Sequence, residues 1–204
     1  MQLPIAVLVS GSGSNLQAII DAAAADTDFG ADVVTVISDR AGVRGLERAA
    51  AAGIPTRVVP WAGAGTRRTF TAAVCDAAEQ AGAQALVLAG FMRILTREAV
   101  DRFPNRILNI HPALLPAFPG AHGVRDALNH GVKVTGVTVH FVDEHVDHGP
   151  IIAQRAVPVD PQDTEESLHA RIQTEEHDLF PEVVKAFAHG RLRVEGRTVV
   201  WEGA

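Results

Sequence analysis

The chain is poor in cysteine, aromatics and positive charge, and each shortage excludes something. Cys75 is the only thiol among 204 residues, so neither an intrachain disulfide nor a cysteine zinc cluster can form. This points to a reducing compartment or to indifference about redox state. Tyrosine is absent and aromatics make up 5% of the chain, which argues against a base-stacking surface. Lys and Arg number 18 against 24 Asp and Glu, a net charge of −6, which argues against a protein that grips nucleic-acid phosphates with a basic face. A small anionic ligand stays possible, because backbone amides can hold phosphate inside an acidic protein. The apolar run that follows Met1-Gln2-Leu3-Pro4 ends at Ser10 and has no basic flank. It is too short for a signal peptide or a membrane span, so a cytoplasmic protein with no membrane partner is expected. What is present is a 47% apolar composition, ample for a packed core, in a length that suits one domain.

Short β-rich runs alternate with alanine-rich helical stretches. Strands are predicted at 5–10, 32–39, 56–60, 85–89 and 107–111, with helices at 16–25, 43–52, 67–80 and 95–102 between them. Runs that are apolar on both faces indicate a parallel sheet covered by helices, hence an α/β, doubly wound, Rossmann-like fold. The second half changes character. Residues 134–142 and 151–159 are strand-like and joined by a loop with no helix, which predicts an antiparallel hairpin added to the sheet. Thr164 reads as the N-cap of a long helix running to about residue 188, stopped by Gly190. Residues 191–195 and 197–201 around Gly196 read as a small terminal hairpin. The expected organisation is one domain over 1–204, with a phosphate-binding half (1–105), a catalytic half (106–190) and the hairpin (191–204).

Ser10-Gly11-Ser12-Gly13-Ser14-Asn15 lies between the first strand and the first helix. Glycines allow a tight turn and close approach of backbone N–H groups to an anion, and the helix start adds free donors. The bland alternative is an ordinary serine-capped turn. No Gly-Lys-Ser/Thr follows, so the loop is not a P-loop, and Leu16 stands where a dinucleotide fingerprint places its third glycine. Asp39 ends the second strand where a ribose-binding acid would sit, so a dinucleotide reading stays open on these residues.

Asn109 and His111 lie two apart on one face of the fifth strand, just before a proline-rich run from Pro112 to Gly120. Ligands of open α/β sheets bind past such strand ends. The alternative is a pair that merely satisfies loop carbonyls. A second cluster, His140 to Pro150, contains Asp143, Glu144, His145, Asp147 and His148. Its irregular spacing speaks against a metal site, and none is expected. A carboxylate able to orient His111 and favour its cationic form suits the cluster better.

Taken in order, four motifs resemble the phosphoribosylglycinamide formyltransferases, folate-dependent enzymes of purine synthesis in the wider formyltransferase family. They are residues 9–19 (VSGSGSNLQAI), 88–95 (LAGFMRIL), 109–120 (NIHPALLPAFPG) and 146–151 (VDHGPI). The likeness runs from the first strand into the long C-terminal helix, where residues 173–177 (QTEEH) also fit.

The resemblance implies transfer of a formyl group from 10-formyltetrahydrofolate, as co-substrate, to the amine of glycinamide ribonucleotide. Asn109, His111 and Asp147 would be catalytic. Gly13, Ser14, Asn15, Leu16 and Gln17 would hold the phosphate and glycinamide, and Glu176 the ribose. Arg67, Met92, Arg93, Ile94, Leu95 and Asn109, with the segment Asp143, Glu144, His145, Val146 and Asp147, would line the folate side. His122 and His140 match family histidines, whereas Val124 stands where some members carry a polar residue. Leu115-Pro116 is a candidate cis peptide, and Cys75 reads as core. The expected partners are small molecules, with no nucleic acid and a monomer or weak homodimer. Two other readings remain: a formyl-folate hydrolase or another formyltransferase on the same site, and a nucleotide-binding module without chemistry.

Overall fold

The computed structural model describes residues 2–203. By contacts the chain divides into two compact units, 1–108 and 109–204, with the division falling inside a strand. That is three residues later than the expected boundary after 105, and the terminal hairpin belongs to the second unit.

The first unit carries β1 (Leu3–Val9), α1 (Ser14–Ala25), β2 (Ala31–Ser38), α2 (Arg44–Ala51), β3 (Thr56–Val58), α3 (Arg67–Gln80), β4 (Ala85–Leu88) and α4 (Arg97–Arg102). Its strands run in the order β3-β2-β1-β4, and β1 pairs in parallel with both β2 and β4. Ile5 to Val9 are wholly buried. That is the outcome expected for a central strand covered on both faces. β3 is the exception. It is the edge strand, exposed along its length and three residues long, so its sequence lacks the continuous apolar run of its neighbours. α1 packs on α2, and α3 on α4.

β5 (Ile107–His111) crosses the division between the units. The second unit continues with α5 (Gly123–His130), β6 (Val134–Phe141), β7 (Ile151–Pro158), α6 (Glu165–Ala188), β8 (Leu192–Glu195) and β9 (Thr198–Trp201). β6 and β7 pair antiparallel, β9 adds parallel to β7, and β8 closes the edge antiparallel to β9. The α/β class, with a mostly parallel sheet and an added antiparallel pair, is therefore as expected. Thr164 caps α6, accepting from Ser167 N–H while the Ser167 hydroxyl receives the Thr164 N–H. The helix runs through Pro181, which removes one backbone bond without ending it.

One element was not anticipated. α5 begins at Gly123 with no side-chain cap from His122, so the usual start signal is missing. Its apolar spacing, Val124, Ala127 and Leu128, and the left-handed Gly131 after it are the marks that were available. Val124 is buried, which accounts for an apolar residue at that position.

Candidate active site

Most of the chemistry sits in the second unit. Strand alternation from Ile107 to His111 puts Asn109 and His111 on one face, and His140 comes from the end of β6. Asp147 comes from the loop between β6 and β7 and holds a left-handed backbone, φ 50°. Such a conformation is uncommon for a residue with a side chain, though aspartate tolerates it better than most.

Four polar side chains converge. His140 Nδ1 lies 2.8 Å from the Phe141 carbonyl. A carbonyl only accepts, so Nδ1 carries the proton and Nε2 offers a lone pair. The Asn109 amide donates to that lone pair at 3.0 Å and, over a long 3.4 Å, to Asp147 Oδ1. His111 Nε2 lies 2.8 Å from the Phe118 carbonyl and so donates to it. This turns His111 Nδ1 toward Asp147 Oδ2, at 3.4 Å. The same carboxylate oxygen receives the Gly120 backbone N–H at 2.7 Å. Phe118, whose carbonyl fixes His111, also has a positive φ, 52°. Two strained residues thus hold one imidazole, a concentration typical of functional sites. The Leu115–Pro116 bond, in the loop between His111 and Phe118, is cis.

Burial pushes the Asp147 carboxyl upward. Against that, the surrounding groups, the His111 ring and the Gly120 N–H among them, hold it below the usual carboxylate range. Asp147 is therefore a carboxylate at neutral pH, an acceptor facing one oriented imidazole and one oriented amide.

The loop that carries Asp147 has its own ties. His148 Nδ1 lies 2.8 Å from Asp143 Oδ2, and the His145 N–H donates to Asp143 Oδ1. Burial raises the Asp143 carboxyl, but these two bonds bring it below its ordinary value. A ligand-type atom from each of Asp143, His145 and His148 lies within 4.8 Å of the others. The carboxylate is already engaged on both oxygens, and the Arg197 guanidinium lies 3.3 Å from His148 Nδ1. A cation would have to displace these partners. Glu176 is buried on α6, and Val146 is exposed.

In the first unit the glycine loop takes the form its sequence suggests. Gly13 is the residue before α1, with φ 67°, and a Cβ there would stand 2.5 Å from the Gly45 Cα. Only glycine fits. The loop is further fixed by the Gly45 N–H on the Gly11 carbonyl and by Arg48, which donates to the Ser12 carbonyl and to the Gln17 side chain. The first backbone bond of α1 runs from Gln17 N–H to Gly13 carbonyl. The N–H groups of Ser14, Asn15 and Leu16 therefore precede the helix ladder, as at an anion-binding helix start. Leu16 is wholly buried.

Two expectations change here. Asp39 is not an open ribose acid. Its side chain is fully buried and receives Arg93 Nε at 2.7 Å, with Arg40 at 3.4 Å. Burial raises its carboxyl, but Ser10, Arg93 and Arg40 more than reverse the effect. The Arg93 guanidinium, held this way and lying over the Trp61 ring at 5.1 Å, is a structural tie more than a free ligand hand. Of the apolar trio, Met92 and Ile94 are exposed, whereas Leu95 is buried. Met92 also donates its backbone N–H to the Ser10 hydroxyl. Arg67 opens α3 and its side chain is exposed.

A family model described as "Formyl transferase" matches residues 3–184. The chain belongs to the formyl transferase family. Within it, the chain is 43% identical over 199 residues to the phosphoribosylglycinamide formyltransferase of Escherichia coli K12, covering 98% of this chain and 93% of that one. The solved glycinamide ribonucleotide transformylase 1 of Symbiobacterium toebii superposes with a TM-score of 0.95 at 50% identity, covering 98% of this chain and 94% of that one. The chain is also 46% identical over 202 residues to the trifunctional purine biosynthetic protein adenosine-3 of Gallus gallus, where it spans 20% of the longer protein. Among the described residues, no helix of this formyl transferase is long and apolar enough to cross a membrane.

Proposed function

We propose that the chain transfers the formyl group of 10-formyltetrahydrofolate to the amine of glycinamide ribonucleotide, with Asn109, His111 and Asp147 as the catalytic residues. The observation that carries this reading is the placement of the Asp147 carboxylate between the oriented His111 ring and the Asn109 amide. Family membership and the resemblance of the four motifs support it.

The neutral amine attacks the formyl carbon, and the carbonyl oxygen becomes an oxyanion. Preorganised donors aimed at that oxygen lower the barrier. The Asn109 N–H held only by the long bond to Asp147 is the donor the oxyanion can take over, while His140 keeps the amide plane fixed. A proton on His111 Nδ1 would be shared with the Asp147 carboxylate and would add positive charge to the same place. The attacking nitrogen must then lose a proton, and the departing folate nitrogen must gain one. Asp147, an acceptor at neutral pH, takes the first through water and returns it to the second. The C–N bond to folate breaks, leaving the formamide and tetrahydrofolate, with no covalent enzyme intermediate.

Substrate assignments follow the same reading. Gly13, Ser14, Asn15, Leu16 and Gln17 hold the phosphate and glycinamide. Glu176 holds the ribose. Arg67, Met92, Ile94 and the backbone of residues 92–95 and 143–147 take the folate, with Arg93 bracing that segment through Asp39. The chain works as a single formyltransferase domain in the cytoplasm, needing no metal and no nucleic acid, as a monomer or weak homodimer.

The test is to mix the protein with glycinamide ribonucleotide and a formyl-folate and follow deformylation by absorbance. Turnover that depends on the ribonucleotide is expected. Deformylation without it would mark a hydrolase, and no turnover in either case would overturn the reading.

A further inference from the structure

The loop from Asp143 to Pro150 is held by groups that formyl transfer does not itself require. Arg197 lies in the two-residue turn between β8 and β9 and donates from one guanidinium nitrogen to the His148 carbonyl at 2.7 Å. Its other terminal nitrogen lies 3.3 Å from His148 Nδ1 and 3.5 Å from Nε2. The Asp143 carboxylate, 2.8 Å from Nδ1, can only accept, so Nδ1 carries the proton. The Arg197 nitrogen is nearly equidistant from both ring nitrogens, so it rests against the ring as a whole, and its well-formed hydrogen bond goes to the His148 carbonyl. The chain of bonds continues through Asp143 Oδ1, which takes the His145 N–H. Arg197, His148, Asp143 and the His145 backbone thus form one line of donors and acceptors with every member used. It brackets Asp147 on both sides in sequence.

Sheet register brings this about. Ile151 of β7 is opposite Thr198 of β9, which sets the turn residue before Thr198 against the loop residues before Ile151. The exit of the loop is fixed as well, since a Cβ on Gly149 would come within 1.8 Å of the Phe141 carbonyl. A left-handed aspartate persists only where its surroundings over-determine it, and here ties on the neighbouring loop residues add to those that Gly120, His111 and Asn109 make with Asp147 itself.

We propose that Arg197 is a positioning residue for Asp147, acting through His148 and Asp143, so that the terminal hairpin serves as a brace for the catalytic loop. The proposal rests on the role given to Asp147 above. Arg197→Ala is expected to lower kcat about tenfold, the range seen when one member of a coupled network is lost, with KM for glycinamide ribonucleotide nearly unchanged. Arg197→Lys keeps a cation for the His148 carbonyl and should restore part of the rate. Added to His148→Ala, the Arg197→Ala change should cause little further loss, because both remove one line of contacts.

A readout independent of turnover is the His148 ring, followed by NMR with ¹⁵N-labelled histidine. The full-length protein should show the Nδ1–H tautomer, and Arg197→Ala should give a tautomer mixture at an unchanged melting temperature. The proposal is overturned if Arg197→Ala leaves both kcat and the His148 signals as they were, if the two losses multiply, or if activity falls only in step with melting temperature. If the unmodified protein does not formylate the ribonucleotide, the assignment of function has failed, and the His148 signals alone then decide whether the brace exists.

Discussion

Asp147 receives the Gly120 N–H at 2.7 Å on the same carboxylate oxygen that faces His111 Nδ1 at 3.4 Å. One oxygen is therefore anchored by the backbone of the proline-rich loop while it orients a ring on β5. The other oxygen faces the Asn109 amide. Position and charge of this one residue are set by two separate segments of the chain, the proline-rich loop and β5.

Asp147→Asn tests the charge without disturbing the backbone, because asparagine tolerates the left-handed region as readily as aspartate does. Its amide oxygen can still take the Gly120 N–H, but it cannot accept a proton from the attacking amine. The expected outcome is a loss of at least about 10²-fold in kcat with substrate binding retained. Steady-state kinetics and calorimetric binding of each substrate check it. Normal turnover in this variant would remove Asp147 from the mechanism.

Asn109→Ala removes a donor from the developing oxyanion and leaves the His140 Nε2 lone pair with no amide opposite it. Loss of one such donor lowers kcat by about 10²- to 10³-fold. The same substitution should cost about 1–3 kcal/mol of stability, since a buried acceptor goes unmatched. Kinetics and denaturant unfolding on one preparation separate the two effects.

The spacing of Asn109 and His111 was legible because a strand repeats every two residues. The strand and helix pattern was legible through apolar runs, with the exposed edge strand β3 ending two residues before its expected bound, except where α5 lacks a capping residue. Periodicity could not supply the third member of the site, and Asp147 entered through motif resemblance. The partners that define these groups were beyond reach of local pattern. Phe118 and Gly120 act through backbone atoms, which any residue has. Arg93 finds Asp39 across 54 residues and Arg197 finds His148 across 49, and only the folded sheet sets those distances.

Ser14→Asp places a carboxylate at the first position of α1, where the helix start would otherwise meet an anion. Affinity for glycinamide ribonucleotide should fall by more than about tenfold, because like charges now share the phosphate position. Formyl-folate binding should persist. Separate titrations with the two ligands test this, and equal weakening of both would count against the division of the substrate assignments.

Asp39 governs a different property, the acid stability of the first unit. Its folded-state carboxyl lies below the ordinary value of 3.8, because Ser10, Arg93 and Arg40 together outweigh the burial that raises it. A carboxyl depressed by folding adds stability that is complete above its unfolded value and is lost as pH falls through the folded one. Asp39→Asn should cost about 1–3 kcal/mol at neutral pH, the range for a charged hydrogen bond whose arginine partner can still reach water. The difference between the two proteins should hold steady from pH 7 down to about 5 and close below about 4, as the native carboxyl is protonated. Urea unfolding across that range measures it. A gap that persists at pH 2 would mean that Asp39 holds Arg93 by shape and hydrogen bonding, with charge contributing little.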